Sequence, residues 1–213
     1  MTTLVVMAKA PVAGRAKTRL CPPCTPAQAA ALAEAALRDT LATAAATPAR
    51  RRVLALDGLL GPWQHPAFDV IAQRGRGLGD RLEAALDDVG GPVVLIGMDT
   101  PQLRPDELEE VVGRLEEPGN DAVFGLAADG GWWTIGLRRR QPGLFDGVAM
   151  STPTTGADQL ARMQRGGLKV ELVAGQRDVD TWPDAVAVAG AAPETRFAQA
   201  VDRVGFPMPA SAV

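Results

Sequence analysis

The stretch Thr3–Leu20, TLVVMAKAPVAGRAKTRL, decides how the rest of the chain reads. Residues 3–7 form a short apolar run of the kind that makes a buried strand. The segment after it looks like a phosphate-binding loop without being the familiar one. A Walker A loop needs GxxxxGK[ST], so that backbone N–H groups wrap the phosphates and a lysine follows the last glycine. Here Arg15 and Ala16 separate Gly14 from Lys17, which argues against an ordinary P-loop kinase. The GxGxxG dinucleotide fingerprint is absent after the strand as well. There remains a turn built on Pro11 and Gly14 that carries Lys9, Arg15, Lys17 and Arg19. Side-chain cations, rather than a backbone cradle, would hold phosphates there, lysine as a mobile point charge and arginine as a planar fork. Lys9, Lys17 and Lys169 are the only lysines in the chain, so two in one loop argue against incidental solvated charge. The alternative is a basic surface turn.

Outward from that loop, strands alternate with helices. Apolar runs at 52–57, 68–73, 92–97, 121–126, 132–137 and 169–173 read as further strands, and PVVLIG (92–97) has the continuous apolarity of a central parallel strand. Thr25-Pro-Ala-Gln28 is a capping-box pattern with proline at the first helical position, opening a helix to about Thr43. Apolar residues at 78, 82, 85, 86 and 89 predict a helix over Leu78–Val89. Further helices are expected over 105–115, 157–165, 183–188 and 194–204. This alternation predicts an α/β fold, a single three-layer α/β/α domain over residues 1–204 with a mainly parallel, Rossmann-like sheet. The proline-containing end, residues 205–213, is expected to fray.

Composition narrows the function. With 46% hydrophobic and 22% charged residues the chain is an ordinary globular one, and a net charge of −3 gives no nucleic-acid footprint. No run of 18 apolar residues exists, so no membrane span is expected, and a cytoplasmic enzyme is the default reading. Cys21-Pro-Pro-Cys24 reads as a tight turn with two free thiols, because a zinc site would need further ligands and His65 is the sole histidine.

Ligands of such folds sit beyond the carboxyl ends of the strands. Basic groups leave the first strand and carboxylates leave the later ones, which suits a metal-bound, multiply charged phosphate ligand. Asp99, just past the 92–97 strand, reads as a Mg²⁺ ligand or as the cap of a turn. Asp178 and Asp180, two apart, share one face of an extended segment and are candidates to converge on it. Asp129 could orient or deprotonate an acceptor, or serve the Gly130-Gly131 turn. Trp132-Trp133 could form an acceptor platform, with core packing of at least one ring as the alternative.

Together these residues resemble the nucleotide-diphospho-sugar transferase superfamily, the GT-A fold. Within it, the chain is similar to the small bacterial glycosyltransferase-like family DUF2064, the radical-SAM/selenodomain-associated group. The resemblance is carried by Lys9-Ala-Pro-Val-Ala-Gly14-Arg-Ala-Lys17-Thr-Arg-Leu20, Leu78-Gly-Asp-Arg81, Gly97-Met-Asp99-Thr-Pro101, Asp129-Gly-Gly-Trp-Trp133 and Asp178-Val-Asp180-Thr181. It spans roughly residues 3–185. Trp132-Trp133 departs from the family's more frequent tyrosine. The resemblance implies a nucleotide pocket in which Lys9, Gly14, Lys17 and Arg19 line the phosphates, with Gln73, Gly79 and Arg81 near base and ribose. It implies Mg²⁺ or Mn²⁺ on Asp99 and Asp180, Lys17 and Asp129 in catalytic roles, and Trp132 and Trp133 toward the acceptor.

The KTRL and DVDT segments also resemble, more distantly, phospholactate guanylyltransferases. Two chemistries are therefore expected, with glycosyl transfer from a nucleotide sugar to a small acceptor slightly ahead. The alternative joins an NTP to a phosphorylated acceptor and releases pyrophosphate; the loop's four cations favour it. A non-catalytic nucleotide-binding domain is the third reading, and the paired acids argue against it.

Overall fold

The computed structural model describes residues 1–205. The expectation of a frayed tail falls, from residue 206 onward, outside the described residues. Seven strands, β1 (Thr3–Lys9), β2 (Arg51–Asp57), β3 (Asp69–Ala72), β4 (Val93–Gly97), β5 (Ala122–Ala127), β6 (Trp132–Leu137) and β7 (Val170–Gln176), form one sheet in the order β3-β2-β1-β4-β6-β5-β7. Around it lie α1 (Pro26–Ala46), α2 (Leu78–Val89), α3 (Pro105–Glu116), α4 (Thr155–Arg165), α5 (Trp182–Ala191) and α6 (Arg196–Val204).

The central strands are buried on both faces, and their alternate side chains feed two separate cores. Leu4 and Val6 of β1 pack with Leu54 and Ile96 beneath Leu37 and Leu41 of α1 and Leu108 and Val111 of α3. Val5 and Met7 point the other way, joining Leu95, Phe124 and Ile135 against Leu82 and Leu86 of α2 and Met163 of α4. The result is the expected three layers. β6 runs antiparallel to both neighbours, β4 and β5, while the other pairings are parallel. The reason is local: only residues 128–131 join β5 to β6, and a parallel crossover takes about a dozen residues or more.

Helix α1 starts where its capping box predicts. Thr25 Oγ1 accepts from the Gln28 amide, and Gln28 Oε1 accepts from the Thr25 amide at 2.8 Å. It runs three residues past the expected Thr43, because alanines sustain it. Its outer side packs on α5 and α6 through Leu32, Ala36, Val188 and Phe197. There the buried Asp39 carboxylate accepts from the Phe197 amide at 2.8 Å and from Arg196 at 3.1 Å. A carboxylate on the free N–H groups at the start of α6 also meets the positive end of its dipole. Hydrogen bonds to a charged group contribute about 1.5–3 kcal/mol each. Asp39→Ala is therefore expected to lower stability by roughly 2 kcal/mol; a denaturant midpoint equal to the parent's would refute it. Cys21 and Cys24 are free thiols, and burial pushes Cys24 up from its ordinary value. Among the described residues, no helix is long and apolar enough to cross a membrane.

Candidate active site

The ends of β1, β2, β3, β4 and β5 and the start of β6 share one edge of the sheet. The segments leaving that edge enclose a cavity of about 890 Å³. Its layout follows the strand order: Asp57, Gln73 and Arg81 at the β2 side, Lys9, Lys17 and Arg19 beyond β1, Asp99 after β4, Asp129 and Trp132 at the β5–β6 turn, Asp178 and Asp180 after β7.

The first loop is pinned at two points. Ala16 is buried in the core under α1, and Leu20 is fully buried among α1, α5 and α6. Between them Lys17 adopts a left-handed conformation, φ 47°, before a 3-10 turn over Thr18–Leu20. A lysine in that region is uncommon and carries strain. The conformation turns its side chain inward, where only 14% remains exposed and Nζ lies 2.7 Å from Asp99 Oδ2. Arg19 reaches across the chain to Asp180. Lys9, exposed at the end of β1, forms no ion pair among the described residues.

Asp99 is held from both sides. A Cβ at Gly97 would sit 2.5 Å from Asp99 Oδ1, so glycine there gives the carboxylate room. Its backbone carbonyl accepts from the Val179 amide at 2.8 Å, which fastens the Asp178–Asp180 segment to the end of β4. Asp178 is the inward acid of that segment. Its Oδ1 is buried without a hydrogen-bond partner. Its carboxyl is pushed up to about 6, first by burial and then by the charges of Asp99 and Asp129.

The oxygen-only donor set and the orphaned Asp178 oxygen fit a hard divalent cation. Among the described residues, no three potential ligands already stand together as a cage. Mg²⁺ does not require one, since it is commonly held by one or two carboxylates plus phosphate and water. Asp178 feels the charge of Asp99, while Asp99 and Asp180 are each paired with a cation, Lys17 and Arg19.

Other sequence expectations divide. Lys9, Lys17, Arg19, Gln73, Arg81, Asp99, Asp129, Trp132 and Asp180 all line the cavity, whereas Gly14, Gly79 and Trp133 do not. Gly14 is exposed and supplies the positive φ of the turn, 74°. A Cβ on Gly79 would meet Phe145 and Met150, so Gly79 packs behind the wall. Trp133 is buried on the opposite face of the sheet, its Nε1 donating to the Ala174 carbonyl at 3.0 Å. Successive strand residues face opposite ways, so only one of two adjacent tryptophans can serve the cavity. Trp132 is that one; it stacks on Phe145 with ring centroids 6.3 Å apart. Gln73 donates both Nε2 hydrogens to the Ala8 and Ala55 carbonyls, stitching β1 to β2. Asp129 Oδ1 accepts from the Gly131 amide at 2.7 Å, so it shapes its own turn. Gly130 is required there: a Cβ would lie 2.0 Å from the Pro153 carbonyl oxygen. Asp57, which the sequence offers only as the last residue of a strand, also lines the cavity and pairs with Arg81 at 2.9 Å.

The fold is an α/β one of the type shared by nucleotide-diphospho-sugar transferases and nucleotidyltransferases. Comparison with known proteins agrees. The family model for uncharacterized proteins conserved in bacteria, DUF2064, matches residues 27–152, and the chain belongs to that family. It is 35% identical over 224 residues to the phosphoenolpyruvate guanylyltransferase of Streptomyces scabiei, covering 96% of this chain and 98% of that protein. A Desulfovibrio desulfuricans protein described as a nucleotide-diphospho-sugar transferase superimposes with a TM-score of 0.80 at 24% identity, over 97% of this chain and all of that one. The 2-C-methyl-D-erythritol 4-phosphate cytidylyltransferase of Thermus thermophilus gives a TM-score of 0.55 at 18% identity, over 91% of this chain and all of that one. A Mycobacterium tuberculosis protein solved in complex with manganese gives 0.50 at 24% identity, over 88% and 96% of the two chains.

Proposed function

We propose that this protein is a divalent-metal-dependent nucleotidyltransferase that joins an NTP to a small phosphorylated acceptor and releases pyrophosphate. One observation carries the reading: two of the cavity's cations are already paired with acids across it, Lys17 with Asp99 and Arg19 with Asp180. A metal–triphosphate complex brings the complementary set of charges. Asp99 and Asp180 could then serve the metal, and Lys17 and Arg19 would be free to take the phosphates. The two ion-paired acids and their cations would keep partners through the exchange, which limits the desolvation cost of holding them in a half-buried site, and Asp178 would gain one.

In the transfer, an acceptor phosphate oxygen attacks the α-phosphorus, the bond to the bridging oxygen breaks, and pyrophosphate leaves. The acceptor is already an anion, so no general base is needed. Lys17, Lys9 and Arg19 stabilise charge on the attacked phosphate and the departing pyrophosphate. Asp99 and Asp178 would hold the metal, with Asp180 beside them; the ion would supply Lewis-acid neutralisation of the phosphate oxygens. The full-length relationship to a guanylyltransferase, the fold shared with cytidylyltransferases and the manganese complex of a structural relative support this reading.

Glycosyl transfer from a nucleotide sugar is the second reading, favoured by Trp132 and Asp129 in the cavity wall. The test presents NTPs with phosphorylated small acids, and separately nucleotide sugars, with Mg²⁺ or Mn²⁺. Acceptor-dependent pyrophosphate release is expected; nucleoside diphosphate release from a sugar nucleotide alone would reverse the order. Asp129→Ala gives a second check. It should leave pyrophosphate release within a few-fold of the parent, whereas loss of a general base for a sugar acceptor costs about 10²–10⁴-fold.

A further inference from the structure

Cys21-Pro-Pro-Cys24 takes no part in the transfer chemistry, yet it stands behind the point where the basic loop meets the acids. Cys21 follows Leu20 directly, and the Cys24 amide donates to the Leu20 carbonyl at 2.9 Å, so both cysteines belong to one turn. Cys24 is 4% exposed, inside the apolar cluster that holds Leu20, Val179 and Trp182. Cys21, partly exposed, packs against the same cluster. Burial, and after it the charge of Cys21, push the Cys24 thiol up, so the two sulfurs are near enough to interact. Two thiols thus share one turn and one apolar seat, one of them open to solvent and the other behind it.

That seat serves both halves of the cavity. Leu20 anchors the loop that carries Lys17 and Arg19, and Val179 lies between Asp178 and Asp180, its amide on the Asp99 carbonyl. Protein interiors are packed as closely as organic crystals. A shift at Cys24 is therefore passed on to Leu20 and Val179. Two bonded sulfurs lie nearer together than two thiols in contact, so closing a bond takes at least one of them out of its place.

We propose that Cys21 and Cys24 are a peroxide-sensitive dithiol whose disulfide unseats the basic loop from the acids. The Cys21 sulfur, as thiolate, attacks one oxygen of hydrogen peroxide. The O–O bond breaks, and the departing hydroxide takes up a proton and leaves as water. Once Cys21 carries oxygen its negative charge is gone, which removes one of the two influences that keep Cys24 protonated. The Cys24 sulfur then attacks the Cys21 sulfenic acid; the S–O bond breaks, and the leaving hydroxide takes the Cys24 proton as a second water. The dithiol gives up two electrons and two protons, and the peroxide is reduced to two waters. Dithiothreitol reverses the step by thiol–disulfide exchange. The consequence for ligand binding rests on the reading of the cavity as a nucleotide site; formation of the bond does not.

The test treats the full-length protein with hydrogen peroxide and follows three readouts. The tryptic peptide 20–38 holds both cysteines and no methionine. Its mass should fall by two hydrogens and recover with dithiothreitol. A peptide that gains oxygen instead, or a disulfide-linked dimer, overturns the proposal. Hydrogen exchange reads the seat: the amides of Leu20 and Val179, both hydrogen-bonded in the reduced protein, should exchange faster in the disulfide form. Unchanged exchange at both overturns the unseating. Calorimetry with the four common NTPs and Mg²⁺ reads the cavity. Whichever NTP binds the reduced protein should bind the disulfide form about fivefold or more weakly, the cost expected of a methyl-sized void in a packed core; equal affinity overturns the coupling. If the reduced protein binds none of the four, the nucleotide reading fails, and peptide mass and exchange still decide the dithiol. Cys21→Ser leaves the buried Cys24 in place. It should match the reduced parent in all three readouts before and after peroxide, and a variant that responds as the parent does overturns the assignment to these thiols.

Discussion

Asp178→Asn is expected to raise the melting temperature of the ligand-free protein while sharply reducing its turnover. The carboxyl is raised from the usual 3.8 to about 6 in the folded protein, with burial the main cause and Asp99 and Asp129 adding repulsion. As pH rises from 3.8 toward 6, the unfolded chain gives up a proton that the folded chain keeps. Stability therefore falls across that window and stays reduced above it. Asparagine removes the charge at nearly the same shape. The gain should be small at pH 4 and fully present at pH 8, at about 2–4 °C for each kcal/mol recovered in a protein of this size. Turnover is expected to move the other way, because the proposed metal site loses an anionic ligand. Even outer partners of metal ligands are worth about 10–100-fold, so a loss of about 100-fold is expected for this one. Thermal melts at the two pH values decide the first part: a variant that melts lower than the parent at pH 8 contradicts the account of Asp178 as an uncompensated charge awaiting a cation.

Lys17→Ala should have the larger kinetic effect. Lys17 is the half-buried cation of the site, and its partner Asp99 is a proposed metal ligand. Removing one preorganised donor to developing charge costs about 10²–10³ in turnover. Binding should weaken about tenfold or more for nucleoside di- and triphosphates, as expected for a charge-assisted contact of about 1.5–3 kcal/mol. The bare nucleoside should bind with unchanged affinity. Equal loss for the nucleoside and the triphosphate would mean that Lys17 holds the loop rather than the phosphate.

Much of this architecture is legible in the sequence. Apolar runs locate the strands, and the capping box at Thr25 locates the start of α1 to the residue. Lys17 and Asp99 can be assigned to the cavity because strand ends in α/β folds face ligands. The antiparallel course of β6 is also within reach, since residues 128–131 are too few for a crossover. The features that escape depend on contacts far apart in sequence. Asp178 and Asp180 share a face of an extended segment, so spacing treats them alike. The bond from the Val179 amide to the Asp99 carbonyl and the competing pull of Arg19 decide which acid turns inward. Taking two adjacent aromatics as one surface puts Trp133 in the site, against the alternation of the strand. Asp57 is hidden because a lone acid at a strand end has no local signature; only its meeting with Arg81 gives it one.

The cations of the basic loop come from the first twenty residues and two of the cavity's acids from the last forty. Arg19 and Asp180 lie 161 positions apart. Closing that loop is among the entropically dearest contacts in the chain, and nothing local rewards it in advance. The cavity edge is thus a seam between the two ends of the polypeptide. The segment matched by the family model, residues 27–152, contains neither Lys17 nor Asp178. An excised piece of that length would keep the central strand and its acid but carry half of an electrostatic circuit. If the cavity takes the proposed ligand, binding should report on the integrity of both chain ends, and a truncation that removes the Asp178–Asp180 segment should abolish it while the strands up to β7 remain.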